Sequence, residues 1–188
     1  MTANDFNWKI GIPGFLQIEM GPNSTRALGQ VWKRQSKFSG QCIIVDRWSG
    51  LALDSTPDPH RNTEPVMWTV HGDPWQRWRI IKLPSKKVLI ASEIGGLVLT
   101  TENAPTDGSR VWLDSYRGYP QQQWQLTRSD DQRAFQIESV VSAHALDADY
   151  SAKLPAAGEG HSISDPSKPL MWTNWNGGCQ QWTIARPL

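Results

Sequence analysis

The sequence predicts an all-β fold made of one four-stranded unit repeated three times. Three observations carry this. First, a triplet recurs as Gln76-Arg77-Trp78, Gln122-Gln123-Trp124 and Gln180-Gln181-Trp182. Each copy follows a further tryptophan, Trp68, Trp112 or Trp172, by about ten to twelve residues. Second, other apolar runs fall in register when the triplets are aligned, at a period near 45 residues, and self-similarity at such a period is a fold-level signal. Third, these runs are four to six residues long, rich in Val, Ile, Leu and Trp, and punctuated by Gly, Pro, Asp and Ser, which is the grammar of strands. Four strands in each of three units make a β-trefoil. Two strands per unit build a short six-stranded barrel and two form a hairpin cap, and closure removes the free sheet edges.

The elements follow in order. The first strands are Ile43-Ile44-Val45, Val88-Leu89-Ile90 and Phe135-Gln136-Ile137. The second are Leu51-Ala52-Leu53-Asp54 after Gly50, Leu97-Val98-Leu99-Thr100 after Gly96, and His144-Ala145-Leu146-Asp147. The third are Val66-Met67-Trp68, Arg110-Val111-Trp112 and Leu170-Met171-Trp172, and the fourth begin at the triplets. The repeats occupy about 41–84, 85–131 and 132–188. A fourth match, Gln30-Val31-Trp32, is assigned to chance: composition alone yields about one, and no upstream tryptophan lies at the right distance. Residues 1–40 read as an N-terminal extension on or next to the trefoil, with one or two strands at 15–20 and 30–33 between glycine- and proline-containing loops. The 13 prolines leave little room for long helices.

Bulk properties exclude several classes. A chain of 188 residues suits one domain with a sizeable core. The net charge of +1 is spread along the chain, without the basic stripe of a nucleic-acid binder. Asn4, Asp5, Asn7 and Lys9 interrupt the first ten residues, so no secretory leader is expected, and no apolar run reaches membrane-spanning length. The expected location is cytoplasmic, or exported without a recognisable signal. Cys42 and Cys179 read as buried free thiols, with a bridge between them as the alternative. His60, His71, His144 and His161 are scattered, and no catalytic or metal motif appears. No enzyme activity, cofactor or metal is expected.

The three triplets, with an upstream Gly-Leu-x-Leu-Asp run and a mid-repeat tryptophan, resemble the ricin B-chain type β-trefoil lectins over residues 41–188. The resemblance implies that Trp78, Trp124 and Trp182 are core and that the glutamines help tie each repeat. It also implies shallow sugar sites, each with an acid at the end of the second strand, an aromatic on the third, and polar groups beside the triplet. A carboxylate makes charge-assisted bonds to neighbouring hydroxyls, while the apolar face of a sugar ring stacks on an aromatic plane.

The expected sites are Asp54, Trp68 and Gln76 in repeat one, and Asp147, Trp172 and Gln180 in repeat three. Trp75 and Cys179 stand where the family often carries Asn. His71 or Asp73 in repeat one, and Asn174 or Asn176 in repeat three, are the expected substitutes. Repeat two carries a weaker or degenerate site of Thr100, Trp112, Gln121 and Gln122, toward which Asp107 or Asp114 could reach. From Asp147 to Trp172 is 25 positions, against 14 from Asp54 to Trp68, so a long loop within 150–167 is expected beside the repeat-three site. The implied partners are glycans ending in galactose or N-acetylgalactosamine, with no nucleic acid, no membrane insertion and a homodimer as a permitted assembly. Two alternatives stand: a β-trefoil protease inhibitor presenting 103–110 or 156–167, and a targeting module of a toxin or larger assembly.

Overall fold

A computed structural model describes residues 40–149 and 167–187. The extension expected over 1–40 (Gly40 apart), the Gln30-Val31-Trp32 match, His161, and the inserted segment within 150–167 (Ser167 apart) lie outside the described residues.

The described residues form twelve strands: β1 (Ile43–Asp46), β2 (Ala52–Asp54), β3 (Val66–Trp68), β4 (Trp78–Lys82), β5 (Val88–Ser92), β6 (Val98–Thr101), β7 (Ser109–Asp114), β8 (Trp124–Arg128), β9 (Phe135–Ser139), β10 (His144–Asp147), β11 (Leu170–Thr173) and β12 (Trp182–Ala185). Every apolar run of the repeat pattern forms one of them. Gly50 and Gly96, in the turns before β2 and β6, hold φ of 71° and 64°, where a side chain would be strained.

Six strands close a ring. β4 pairs with β5, and β8 with β9, over five residues each, and β12 pairs with β1 over four. Within each unit the first and fourth strands meet at one point, and that point is the triplet tryptophan. The contacts are Cys42 with Trp78, Val88 with Trp124, and Phe135 with Trp182. The other six strands form the hairpins β2–β3, β6–β7 and β10–β11, and β7 also pairs with β11. This is the six-stranded barrel and hairpin cap of a β-trefoil.

The core repeats three-fold as well. Ile44, Ile90 and Ile137 come from the first strands, and Leu53, Leu99 and Leu146 from the second. Met67, Leu113 and Met171 come from the third, and Trp78, Trp124 and Trp182 from the fourth. The three tryptophans are 0% exposed. Each indole Nε1 donates to the carbonyl of Leu53, Leu99 or Leu146, at 2.8, 3.0 and 3.0 Å. A buried indole N–H needs such an acceptor, and here the acceptor belongs to the cap, so each tryptophan fastens hairpin to barrel. Cys42 and Cys179 are free and buried, with no bridge between them. Burial pushes both thiols up to about 12, which keeps them protonated and unreactive.

Candidate functional site

After its third strand, each unit runs through a loop into a short 3-10 turn: Pro74–Gln76, Pro120–Gln122 or Gly178–Gln180. The glutamine closing each turn is buried, at 0%, 1% and 0% exposure. Its Nε2 donates to a carbonyl seven residues earlier, that of Thr69, Ser115 or Thr173, at 2.9, 2.8 and 3.1 Å. Its Oε1 accepts the N–H of a residue five earlier, His71, Arg117 or Trp175, at 2.9, 2.8 and 3.0 Å. Gln76 and Gln180, assigned by the sequence pattern to sugar hydroxyls, therefore lie beneath the loop with both amide ends bonded to backbone and each side chain against the carboxylate of its repeat. They shape each site from below.

These ties fix the repeat register and correct one alignment. Leu53 faces Met67, Leu99 faces Leu113, and Leu146 faces Met171. One residue on, Trp68 and Trp172 occupy equivalent places, each opposite an alanine, Ala52 or Ala145, while the matching residue of repeat two is Asp114 opposite Val98. Trp112 stands two residues earlier, in the place of Val66 and Leu170. The alignment of Trp112 with Trp68 and Trp172 is thus out by two residues, because it matched tryptophan to tryptophan although Trp112 lies twelve residues before its triplet tryptophan and the others ten.

Asp54 pairs with Val66, two residues before Trp68. Cross-strand partners share a face, as do residues two apart on a strand, so Asp54 and Trp68 lie diagonally on the outer face of their hairpin. Asp54 is 3% exposed. Its Oδ1 accepts the Thr56 N–H at 2.7 Å, and its Oδ2 lies 3.4 Å from His71 Nε2. His71 Nδ1 is 3.1 Å from Asp73 Oδ2, and the ring leans on Trp75 with centroids 5.7 Å apart. Burial raises the Asp54 pKa above the ordinary aspartate value, against the pull of hydrogen bonds from Thr56, Gln76 and His71. Trp75 is half-buried, and its carbonyl holds Ser55 through N–H and hydroxyl bonds of 2.8 and 2.9 Å.

Repeat three has the same frame. Asp147 pairs with Leu170, two residues before Trp172. Asp147 is 4% exposed and Trp172 is 41% exposed. Asp147 Oδ1 accepts the Asp149 N–H at 3.0 Å, and the Cys179 thiol donates to Oδ2 at 3.5 Å. Burial again raises the pKa, opposed by donors including the side chains of Cys179, Gln180 and Trp175. Cys179 thus fills its position as a donor to the carboxylate. Asn174 and Asn176 turn the other way. Gln136 Nε2 donates to Oδ1 of both, at 2.9 and 3.0 Å, and Asn174 Nδ2 donates to Glu138 at 2.8 Å.

Repeat two is differently built. The Thr100 hydroxyl donates to the Val98 carbonyl of its own strand at 2.9 Å. Thr100 faces Trp112, and the Arg110 guanidinium lies 4.7 Å over that indole, a cation–π contact that covers the stacking face. Gln121 is half-buried ahead of Gln122. Asp114 Oδ1 accepts from Arg61 Nε and Ser115 N–H, at 2.6 and 2.8 Å. Asp107 serves repeat three instead, accepting the Thr173 hydroxyl at 2.8 Å.

From the sequence, Trp48, Trp75 and Trp175 lie near loops, where they either extend the binding surface or pack. The place of Trp175, five before the buried glutamine, equals that of His71, and each gives its backbone N–H to the glutamine of its repeat. Counting back from the glutamine identifies the pair. Among the described residues, no three His, Cys, Asp or Glu side chains are grouped to hold a metal ion.

Fold and ties define a three-fold β-trefoil. The family described as ricin-type beta-trefoil lectin domain-like matches residues 85–164, so the resemblance read from the triplets is shown. A search of curated proteins finds no match. Among solved structures, the designed three-fold symmetric protein ThreeFoil is 25% identical with a TM-score of 0.67, over 78% of this chain and 98% of its own. A Macrolepiota procera ricin B-like lectin in complex with lactose is 22% identical with a TM-score of 0.61, over 81% and 99%. The C-half of an earthworm R-type lectin in complex with GalNAc is 14% identical with a TM-score of 0.57, over 78% and 98%.

Proposed function

We propose that this chain is a non-catalytic carbohydrate-binding protein that takes terminal galactose or N-acetylgalactosamine in repeats one and three. One observation carries the reading. A buried carboxylate and a tryptophan lie diagonally on one hairpin face in those two repeats, Asp54 with Trp68 and Asp147 with Trp172, and not in repeat two. The aromatic supplies a stacking plane for the sugar ring. The carboxylate accepts hydroxyl hydrogens, which replace part of the donor set now around it. The choice of sugar is supported by the lactose and GalNAc in the complexes of the two lectins above. Affinity for a single sugar is weak, because few contacts fix a small, well-hydrated ligand, and two sites on one rigid body restore it on a glycan-coated surface.

A glycan array with and without free galactose or lactose tests the reading. Binding that either sugar competes away is the expected result. Binding that resists both removes the galactose assignment, and a blank array removes the function.

Acidity provides a further prediction. Sugar binding needs ionised Asp54 and Asp147, whose pKa values are raised by burial. Binding is therefore lost on acidification at a pH above the ordinary aspartate range. The stability linkage has the opposite sign. A carboxyl with a raised folded-state pKa contributes stability that is present at low pH and is lost as pH rises through that pKa, so these two groups do not unfold the protein as they release the sugar. Titrating glycan binding and melting temperature together against pH checks this. Binding that persists down to the unfolding transition would contradict it.

A further inference from the structure

Repeat three departs from its siblings at one point. The two residues that enter the 3-10 turn are Asp73-Pro74 and Tyr119-Pro120 in the first two units, but Gly177-Gly178 in the third. Backbone conformation does not demand glycine at 177, where φ is −72°. Close approach does. A Cβ on Gly177 would stand 2.1 Å from Trp175 Cη2, so the six-membered ring of that indole lies on the glycine. A Cβ on Gly178 would meet Trp48 Cε3 at 3.1 Å, and Trp48 comes from the β1–β2 turn of repeat one. Each indole rests on one of two consecutive glycines, whose α-carbons are about 3.8 Å apart. Both indoles remain exposed, Trp175 by 55% and Trp48 by 57%.

One side chain sets the spacing of the two rings. Gln181, the middle residue of the third triplet, accepts the Arg47 N–H on its carbonyl at 2.8 Å and the Arg47 guanidinium on Oε1 at 2.9 Å. Its Nε2 donates to the carbonyl and Oδ1 of Asn176, at 3.2 and 3.3 Å. Arg47 precedes Trp48 and Asn176 follows Trp175, so both indoles hang from residues fastened to Gln181. Trp175 gives its backbone N–H to Gln180 Oε1 at 3.0 Å, and the neighbouring Cys179 thiol donates to Asp147 Oδ2 at 3.5 Å, which sets the platform beside the repeat-three carboxylate.

We propose that Trp48 and Trp175 form an aromatic subsite that takes the second ring of a glycan whose terminal sugar engages Asp147 and Trp172. The inference rests on the carbohydrate-binding reading above. Flat indoles held by packing offer stacking area at little conformational cost. The rim of Arg47, Gln181 and Asn176 is polar, which suits a ring whose hydroxyls point sideways from its apolar face. Repeat three thereby reads a chain of sugars, while repeat one, with His71 and Trp75 at the matching edge, reads its end.

The test is calorimetric titration of the full chain with galactose, lactose and a galactose-terminated tetrasaccharide, for the wild type, Trp48→Ala and Gly178→Ala. Gly178→Ala keeps both indoles and disturbs only the seat of Trp48. The wild type is expected to gain on the order of tenfold in affinity at one site from galactose to the longer sugars, as one added stacking contact provides. Trp48→Ala is expected to lose that gain and Gly178→Ala to reduce it, both keeping the galactose affinity and the melting temperature. A flat series in the wild type, or a gain that survives Trp48→Ala, overturns the subsite and leaves the sugar-binding reading standing. A folded wild type that binds none of the three sugars overturns both.

Discussion

Trp124→Ala lowers the stability of the fold by about 3–5 kcal/mol, the range for truncating a large core aromatic. The indole is 0% exposed, and its removal opens a cavity among the repeated Ile, Leu and Met layers. It also leaves the Leu99 carbonyl without the 3.0 Å bond that ties cap to barrel, at the point where β8 meets β5. Denaturant unfolding measures the loss, and an unchanged midpoint would show that the tie contributes nothing. Trp124→Phe separates the two contributions, since it keeps most of the ring volume and removes the donor. Its cost is expected to be smaller, with the lost bond itself worth about 1 kcal/mol.

The double variant Asp54→Asn with Asp147→Asn abolishes glycan binding and holds the melting temperature close to that of the wild type. Asparagine keeps a side-chain oxygen to accept the Thr56 and Asp149 N–H groups that Asp54 and Asp147 now hold. It removes the negative charge, and charge-assisted bonds are roughly twice as strong as neutral ones. Alanine would also strip both turns of their acceptor and mix stability with binding. Each single variant is expected to leave one site working, seen as half the stoichiometry in a titration. Full binding by the double variant would remove both carboxylates from the site.

The strands were legible because a half-buried β-run has a short, apolar signature, and three copies of it rule out coincidence. The closing tryptophans were legible for the same reason. The loops were not. Their ties use the carbonyls of Thr69, Ser115 and Thr173 and the N–H groups of His71, Arg117 and Trp175. Backbone groups leave no trace in residue identity, so nothing in the three loop sequences shows that they are one structure. Trp112 was misplaced for a different reason, since its spacing of twelve residues to the triplet tryptophan, against ten in the other units, was read as equivalent. The seating of Trp48 on Gly178 is beyond local reading altogether, since it joins the first unit to the last.

One dimension of the frame has a use in engineering. The indole bond that fastens cap to barrel closes 25 residues in the first two units and 36 in the third, at nearly the same length. The β10–β11 pairing across the longer connection keeps four residues in register, and the chain returns at Ser167, whose carbonyl accepts the Met67 N–H at 2.8 Å. The barrel and hairpin therefore close in the same way with the longer connection of the third unit as with the shorter ones. A peptide epitope or a small folded tag grafted there would be displayed from a fixed base without retuning the barrel.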